Sequence, residues 1–71
     1  MEMNRFAEKL KERMDVLGIS QGQLAKMVGV TQPAVQKWRT GEREPNFDML
    51  LKICIALNTD PNELLGYDEI G

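Results

Sequence analysis

Two amide side chains and a cation lie at helical spacing in the middle of the chain, at Gln32, Gln36 and Lys37. At about 100° per residue they share one side of a helix with Pro33 and Thr40. An amide pairs with the N6 and N7 atoms of adenine, and a lysine reaches the O6 and N7 atoms of guanine or a phosphate. The pattern therefore indicates hydrogen bonding to base edges, and the alternative is an ordinary solvated helix face.

The neighbouring residues carry groups suited to a nucleic-acid backbone. Gln21 begins the preceding helix, where unpaired backbone N–H groups and the positive helix end favour a phosphate. The methyl group of Thr31 and the ring of Pro33 suit thymine methyl groups. The sequence predicts base contacts at Gln32, Pro33, Gln36 and Lys37, and backbone contacts at Gln21, Thr31, Thr40 and Arg43.

The charge distribution is compatible with an anionic partner, although the chain as a whole is acidic. The 71 residues carry a net charge of -2 and form one domain, 1–71, with a small core. Residues 20–43 hold four cations and one acid, a net charge of +3, whereas residues 44–71 hold one cation and six acids, a net charge of -5. The positive third contains the candidate contact residues, so the acidic total does not exclude nucleic acid.

Composition argues against several other classes of protein. The chain has no histidine and one cysteine, Cys54, so we expect no disulfide, zinc site or nucleophile–base pair, and hence no enzyme, metal or cofactor. No small-molecule ligand is evident. No apolar run approaches the roughly 20 residues that span a bilayer, and the N-terminus lacks a signal-peptide pattern. We therefore expect a soluble, cytoplasmic protein without a membrane partner.

Capping and stop residues predict five helices and no strand. The first helix is capped by Asn4 and stopped by Gly18, and the second is opened by the Ser20–Gln23 capping box. The remaining predicted boundaries are Gly29 after the second helix, Thr31 and Gly41 around the third, Asn46 before a fourth helix at Phe47–Leu57, Asn58 after it, and Asp60 and Gly66 around the fifth. The helix-turn-helix segment is 20–40, and residues 67–71 form a tail.

Apolar spacing predicts which side of each helix is buried. Lys9, Glu12 and Arg13 are expected to face water. Trp38 is expected in the core rather than as a stacking residue, and Cys54 as a small buried hydrophobe rather than a redox group. The predicted core positions are Phe6, Leu10, Met14 and Leu17 in the first helix, Leu24, Ala25 and Val28 in the second, Val35 and Trp38 in the third, and Phe47, Leu50, Leu51, Cys54 and Leu57 in the fourth.

The order of these segments resembles a known family. GISQGQLAKMVGV, TQPAVQKW, GEREP, LLKICIAL and DPNELL, over about residues 5–66, are similar to the phage Cro and repressor type of helix-turn-helix domain, also named for the xenobiotic-response-element regulator. Gln21, Ala25, Gly29 and Val35 stand in the register of its motif. The resemblance implies an all-α, compact, lambda-repressor-like bundle of five helices. It also implies a prokaryotic or phage-encoded regulator that is usually dimeric and binds a two-fold symmetric operator.

The chain departs from the family pattern at two positions. Met14 and Arg39 stand where family members carry an arginine and a glutamate that pair inside the domain. The partner of Arg39 is open between Asp15, Glu12 and a DNA phosphate. Acids at 42 and 44, in a loop that often carries cations, predict modest affinity for the DNA backbone. Glycine at 22 weakens the second helix, and the sequence offers no reason for it.

These observations favour a sequence-specific transcriptional regulator, most plausibly a repressor, that inserts helix 31–40 into the major groove of a palindromic double-stranded operator. It would be nucleoid-associated when bound to DNA. The alternative is a protein-interaction module of the same fold, such as an antitoxin or a transcription adaptor. We expect a homodimer, because one helix offers few base contacts. Its candidate interface is Met49, Ile55, Leu64, Leu65, Tyr67 and Ile70, and the alternative for Met49 and Ile55 is incidental surface apolarity.

Overall fold

A computed structural model describes residues 5–65, which form five helices and no strand, so the predicted all-α class is confirmed. The helices are α1 (Phe6–Leu17), α2 (Gln21–Val28), α3 (Gln32–Thr40), α4 (Phe47–Ala56) and α5 (Pro61–Leu65). The predicted cap Asn4, the predicted stop Gly66 and the tail at 67–71 lie outside the described residues.

Side-chain caps begin three of the helices as predicted, including α5, where the Glu63 N–H donates to Asp60 Oδ1 at 2.8 Å. The Gln23 backbone N–H donates to Ser20 Oγ at 3.1 Å, and the Ser20 N–H donates to Gln23 Oε1 at 2.7 Å, which completes the capping box. Asn46 Oδ1 accepts from the Met49 N–H at 2.8 Å. Thr31 occupies the cap position of α3, but its side chain makes no capping hydrogen bond, so that part of the prediction is wrong.

Residues in the left-handed backbone region end α1 to α4, as predicted. Their φ angles are positive: 68° at Gly18, 78° at Gly29, 81° at Gly41 and 52° at Asn58. After α1, the Ile19 N–H donates to the Met14 carbonyl at 2.9 Å, and Ile19 packs against the core. Leu17 is 41% exposed, which corrects its predicted core position: it is the last residue of α1, and Ile19 packs against the core beyond the turn.

All five helices contribute side chains to one core. α3 packs against α1 and α2, α2 also packs against α4, and α5 packs against α1 and α4. The buried apolar residues are Phe6, Leu10, Met14, Leu24, Ala25, Val28, Val35, Trp38, Leu50, Ile53, Cys54, Leu57 and Leu64. The predicted core positions in α2 and α3 are therefore confirmed.

The orientation of α4 differs from the prediction. Phe47 and Leu51 are 68% and 37% exposed, whereas Ile53, which was not assigned to the core, is fully buried. Every residue of α4 except Asp48 and Lys52 is apolar, so helical periodicity allows more than one buried stripe. Packing against α2 and α5 selects the stripe that contains Leu50, Ile53 and Cys54.

Cys54 is buried, as the sequence predicts for a small hydrophobe. Desolvation raises the pKa of its thiol, and the negative charge of Asp60 raises it further. The thiolate is the reactive form of cysteine, so the neutral, buried thiol acts as core packing.

Arg13 makes an unpredicted contact between the first helix and the end of the fourth. It was expected to face water, but it is half-buried, and its Nε donates to the Leu57 carbonyl at 2.9 Å. Its Nη2 donates to the Asn58 carbonyl, also at 2.9 Å. These carbonyls belong to the turn that ends α4, where backbone acceptors lack helical partners and a cation is favourable. Arg13 therefore holds α1 against the α4–α5 turn.

We expect Arg13→Ala to lower the free energy of unfolding by about 1–2 kcal/mol, because two hydrogen bonds from a charged donor are lost, one of them at an exposed carbonyl. For a domain of this size the melting temperature would fall by on the order of 5–10 °C. Thermal unfolding followed by circular dichroism measures the change. Lys11→Ala, at an exposed position on the same helix, is the control. Equal shifts for the two variants would contradict the role of Arg13.

Candidate nucleic-acid interface

The turn between α2 and α3 sets the angle at which the two helices cross. The N–H groups of Gly29 and Val30 both donate to the Ala25 carbonyl at 2.9 Å. Gly29 needs a left-handed backbone for this turn, which costs a residue with a Cβ atom about 1–2 kcal/mol. Ala25 is buried in the core that α2 shares with α3 and α4. The small side chain and the glycine together allow α3 to pack closely on α2.

Burial of one side of α3 determines which of its residues face outward. Val35 and Trp38 are buried in the core, as predicted, so Trp38 is not available to stack on a base. The opposite side of the helix is exposed, which confirms the predicted arrangement of the polar face. We call this the α3 face, and it consists of Gln32, Pro33, Gln36, Lys37 and Thr40.

The N-terminus of α2 lies beside the α3 face. Gln21 is half-buried and lines one shallow, open groove together with Gln32, Pro33 and Gln36. The fold therefore brings one predicted backbone-contact residue next to three predicted base-contact residues. The amide of Gln21 on α2 and the amides of Gln32 and Gln36 on α3 can therefore bind the same ligand.

The structure gives no steric reason for Gly22. A Cβ atom built on Gly22 would lie 3.6 Å from Gln32 Oε1, so the side-chain amide of Gln32 lies directly over this glycine. That distance is an ordinary van der Waals contact. A methyl group at position 22 would therefore fit beside Gln32.

An ion pair lies at the C-terminal end of the α3 face. Lys37 Nζ is 4.0 Å from Glu42 Oε2, and the two side chains are 47% and 66% exposed. An exposed pair of this kind is weak, because water screens it and both side chains lose freedom. The acid at 42 was noted from the sequence, but its ion pair with Lys37 was not predicted. An acid immediately after Gly41, within reach of a lysine in the last turn of α3, could have predicted it.

The two remaining predicted backbone-contact residues at this end differ in what their side chains do. Thr40 Oγ1 donates to the Lys37 carbonyl at 3.1 Å and accepts from the Glu42 N–H at 3.4 Å. Its hydroxyl proton is therefore used within the chain. The Arg43 N–H donates to the same Lys37 carbonyl at 3.2 Å, while its side chain is exposed. At the other end of the helix, the exposed Thr31 has no capping bond to occupy its hydroxyl.

Arg39 has neither of the protein partners that the sequence suggested. It is half-buried, and its Nε is buried without a hydrogen-bond acceptor among the residues described. Glu12 lies 3.7 Å from Lys9 Nζ, and no described ion pair joins Arg39 to Glu12 or Asp15. Met14 is buried where the family carries an arginine. Met14 therefore supplies apolar packing at this position, and Arg39 has no ion-pair partner within residues 5–65.

The four described residues of the predicted dimer interface differ in exposure. Ile55 is 81% exposed, but Met49 and Leu65 are half-buried against the core. Leu64 is 1% exposed, which corrects its assignment: its side chain belongs to the core of the domain and is not on the surface. The other two residues, Tyr67 and Ile70, lie outside the described residues.

Over residues 5–65, no three acidic, cysteine or histidine side chains lie close enough together to hold a metal ion. None of the helices in that range has the length and apolar character needed to cross a membrane.

We expect Gly22→Ala to stabilise the domain by about 0.5–1 kcal/mol, because alanine is the better helix former and the added methyl group meets only an ordinary contact. Gly29→Ala should instead destabilise it by about 1–2 kcal/mol, since its φ of 78° is strained for any residue with a Cβ atom. Urea unfolding of both variants beside the original protein measures the two changes. A loss of stability in Gly22→Ala would show that Gln32 cannot yield to the methyl group.

Comparison with known proteins identifies relatives over most of the chain. Residues 10–64 match the family described as "Helix-turn-helix". Repressor protein C2 of Salmonella phage P22 is 38% identical over 68 residues, which cover 96% of this chain and 32% of that protein. The HTH-type transcriptional activator BcrR of Enterococcus faecalis is 32% identical over 65 residues, which cover 92% of this chain and 32% of the activator. This chain thus spans about a third of the length of these two relatives.

Two solved structures share the fold. The DNA-binding domain of the P22 C2 repressor superposes with a TM-score of 0.83 and 38% identity, covering 92% of this chain and 86% of that one. The restriction-modification controller protein C.AhdI from Aeromonas hydrophila superposes with a TM-score of 0.81 and 31% identity, covering 87% of this chain and 94% of the controller.

Proposed function

Because this chain belongs to the helix-turn-helix family, we propose that it is a sequence-specific DNA-binding domain that represses transcription from a two-fold symmetric operator. In this proposal α3 enters the major groove of the operator, which is wide enough for one helix. Repression rather than activation is proposed from the similarity to the P22 repressor, which is higher than that to the activator BcrR. The protein would act in the cytoplasm, where bacterial DNA is accessible.

The observation that carries the proposal is the α3 face, with its amides and cation exposed while Val35 and Trp38 hold the opposite side in the core. Gln32 and Gln36 are one helical turn apart and are assigned to adenines in neighbouring base pairs. Lys37 is assigned to a guanine or a phosphate. Pro33 lies beside Gln32 and is assigned to a thymine methyl group.

Backbone contacts would hold α3 in register on the groove. Gln21 lies at the N-terminus of α2, where the first N–H groups of a helix attract a phosphate. The unused hydroxyl of Thr31 can donate to a phosphate oxygen, and Arg43 offers an exposed guanidinium. Thr40 would have to exchange its bond to the Lys37 carbonyl for one to DNA, so it is the weakest of the four candidates.

Selection of bound sequences from random duplex DNA is the direct test. We expect a palindromic motif whose half-sites lie about one helical turn, or roughly 34 Å, apart. Enrichment of no motif at all, at low as well as moderate salt, would contradict the proposal.

Gln36→Ala should reduce discrimination at a single base pair of that motif by about 1–3 kcal/mol, because one bidentate amide contact is lost. Affinity for unrelated DNA should change little. Fluorescence anisotropy with duplexes substituted at each position measures this loss. The control is Asn62→Ala, which removes an exposed amide from α5. A uniform loss over all duplexes would reassign Gln36 to the backbone.

Substitutions at Lys37 and Glu42 should change DNA affinity in opposite directions. Lys37→Ala should weaken binding, and if Lys37 contacts a phosphate the slope of log affinity against log salt should fall by about one. Glu42→Gln should strengthen binding, because it removes an acid 4.0 Å from the lysine without changing its size. Salt titrations of both variants measure the slopes, with Lys11→Ala as control. Weaker binding by Glu42→Gln would show that the acid positions the lysine productively.

A protein-interaction module remains the second candidate, favoured by the exposed Phe47 and Ile55 on α4 and by the net charge of -5 over residues 44–71. An antitoxin or a transcription adaptor of this fold would purify with a tight protein partner. It would also fail to retard any duplex at low salt, which distinguishes it from the DNA-binding proposal.

A further inference from the structure

Arg39 is a cation on α3 that no other residue between 5 and 65 holds in place. Its side chain is half-buried, and its Nε atom is fully buried without a hydrogen-bond acceptor. It takes part in no ion pair within the described part of the chain. An arginine side chain carries five N–H donors and a permanent positive charge. The fold of the domain therefore leaves these groups available to a ligand.

Arg39 lies on the edge of the α3 face that carries Gln32. At about 100° per residue, it is roughly 20° from Gln32 and roughly 40° from the buried Val35 around the helix. Gln32 lies over Gly22 at the start of α2 and shares a groove with Gln21. Arg39 is seven residues further along α3, or roughly 10 Å toward its C-terminus. It therefore stands at the border between the core and the exposed amides, on the side nearest to Gln21.

We propose that the guanidinium of Arg39 binds a phosphate of the operator, on the strand whose backbone Gln21 contacts. The two edges of a helix in the major groove face the two DNA strands, so residues on one edge address the same strand. Arginine binds a phosphate through two parallel N–H donors, which a lysine cannot provide. This inference rests on the proposed function, because it requires α3 to enter the groove.

Nothing among the described residues retains the guanidinium in its inward position. Its Nε donor has no acceptor there, so an outward rotation of the side chain breaks no hydrogen bond and ends an unfavourable burial. At a phosphate, Nε and one Nη atom each donate to an oxygen. Arg39 therefore gains its hydrogen bonds only when DNA is bound, and its contribution favours the complex over the free protein.

The residue at position 14 makes this cation available. The resemblance to the Cro and repressor type implies an arginine at 14 that pairs with a glutamate at 39, whereas this chain has Met14 and Arg39. Met14 is 2% exposed, and its thioether is at most a weak acceptor. An acid at position 14 would keep Arg39 inside the domain. Methionine leaves the positive charge to an external anion.

The loop that follows α3 supplies no net positive charge for a phosphate. It carries Glu42 and Glu44 against Arg43, a net charge of -1. In addition, Lys37 lies 4.0 Å from Glu42, which offsets part of its charge. Arg39 adds a positive charge at this end of α3, where the acids would otherwise repel the DNA backbone.

Salt titrations of Arg39→Met in the full 71-residue chain test the contact, on the selected operator and on an unrelated duplex. Methionine keeps most of the aliphatic stem and removes the donors. Affinity for both duplexes should fall about five- to tenfold at 0.1 M salt, and the slope of log affinity against log salt should fall by about one. Lys52→Met is the matched control, because Lys52 is an exposed cation on α4, and the described helices α3 and α4 do not pack together.

Stability and a second variant separate a phosphate contact from a structural role. Arg39→Met removes a buried donor that lacks an acceptor, so its melting temperature should equal or exceed that of wild type. A lower melting temperature would show that the fold needs the guanidinium and would overturn the proposal. Arg39→Lys keeps the charge without the two parallel donors, so it should keep the wild-type salt slope and lose only affinity. Equal slopes for Arg39→Lys and Arg39→Met would also contradict the phosphate contact.

The remaining outcomes distinguish this inference from the proposed function. If the operator binds but Arg39→Met behaves like Lys52→Met, the phosphate contact is rejected and DNA binding stands. If Arg39→Met loses affinity at one base pair only, Arg39 reads a base, and the phosphate contact is again rejected. If no duplex binds wild type, the proposed function fails, and elution from a heparin column tests the anion site alone. Arg39→Met should then elute at lower salt than Lys52→Met, and elution of both at the same salt would reject the site.

Discussion

Burial of one side of α3 is the constraint on which the rest of this structure depends. Val35 and Trp38 enter a core shared by all five helices, and this alone fixes the direction in which the side chains of the α3 face point. Gly29 and Ala25 allow α2 to pack on α3, and Gln21 comes to lie beside Gln32 as a result. A small domain has few other means of holding a short recognition helix rigid, since α3 has only nine residues.

Features that depend on residues close in sequence could be predicted. The capping box of Ser20 and Gln23, the stop at Gly29 and the polar α3 face follow from spacings within one or two helical turns. The buried side of α4 could not be predicted in this way, because the helix is apolar nearly all around. Its buried side is determined by packing against neighbouring helices. The burial of Leu64 could not be predicted for a related reason. A helix of five residues is too short for apolar spacing to show which side is buried.

The interaction partners of Arg13 and Arg39 also could not be predicted from sequence patterns. Arg13 bonds to carbonyls 44 and 45 residues away, and no local rule connects such positions. For Arg39 the family pattern indicated no partner, because this chain has a cation where the family carries an acid and has Met14 where the family carries the arginine. The buried Nε of Arg39 lacks an acceptor in the described part of the chain, and a buried donor without a partner costs about 1–3 kcal/mol.

The Arg13 contact also has a consequence for the order in which the chain folds. α2, the turn and α3 are held by contacts between residues near one another in sequence, so little chain entropy is lost in closing them. Arg13 joins residues 44 and 45 positions apart and so closes a long loop. We expect this contact to form late, after α2, the turn and α3 have assembled. Loss of Arg13 would then accelerate unfolding while leaving the refolding rate nearly unchanged.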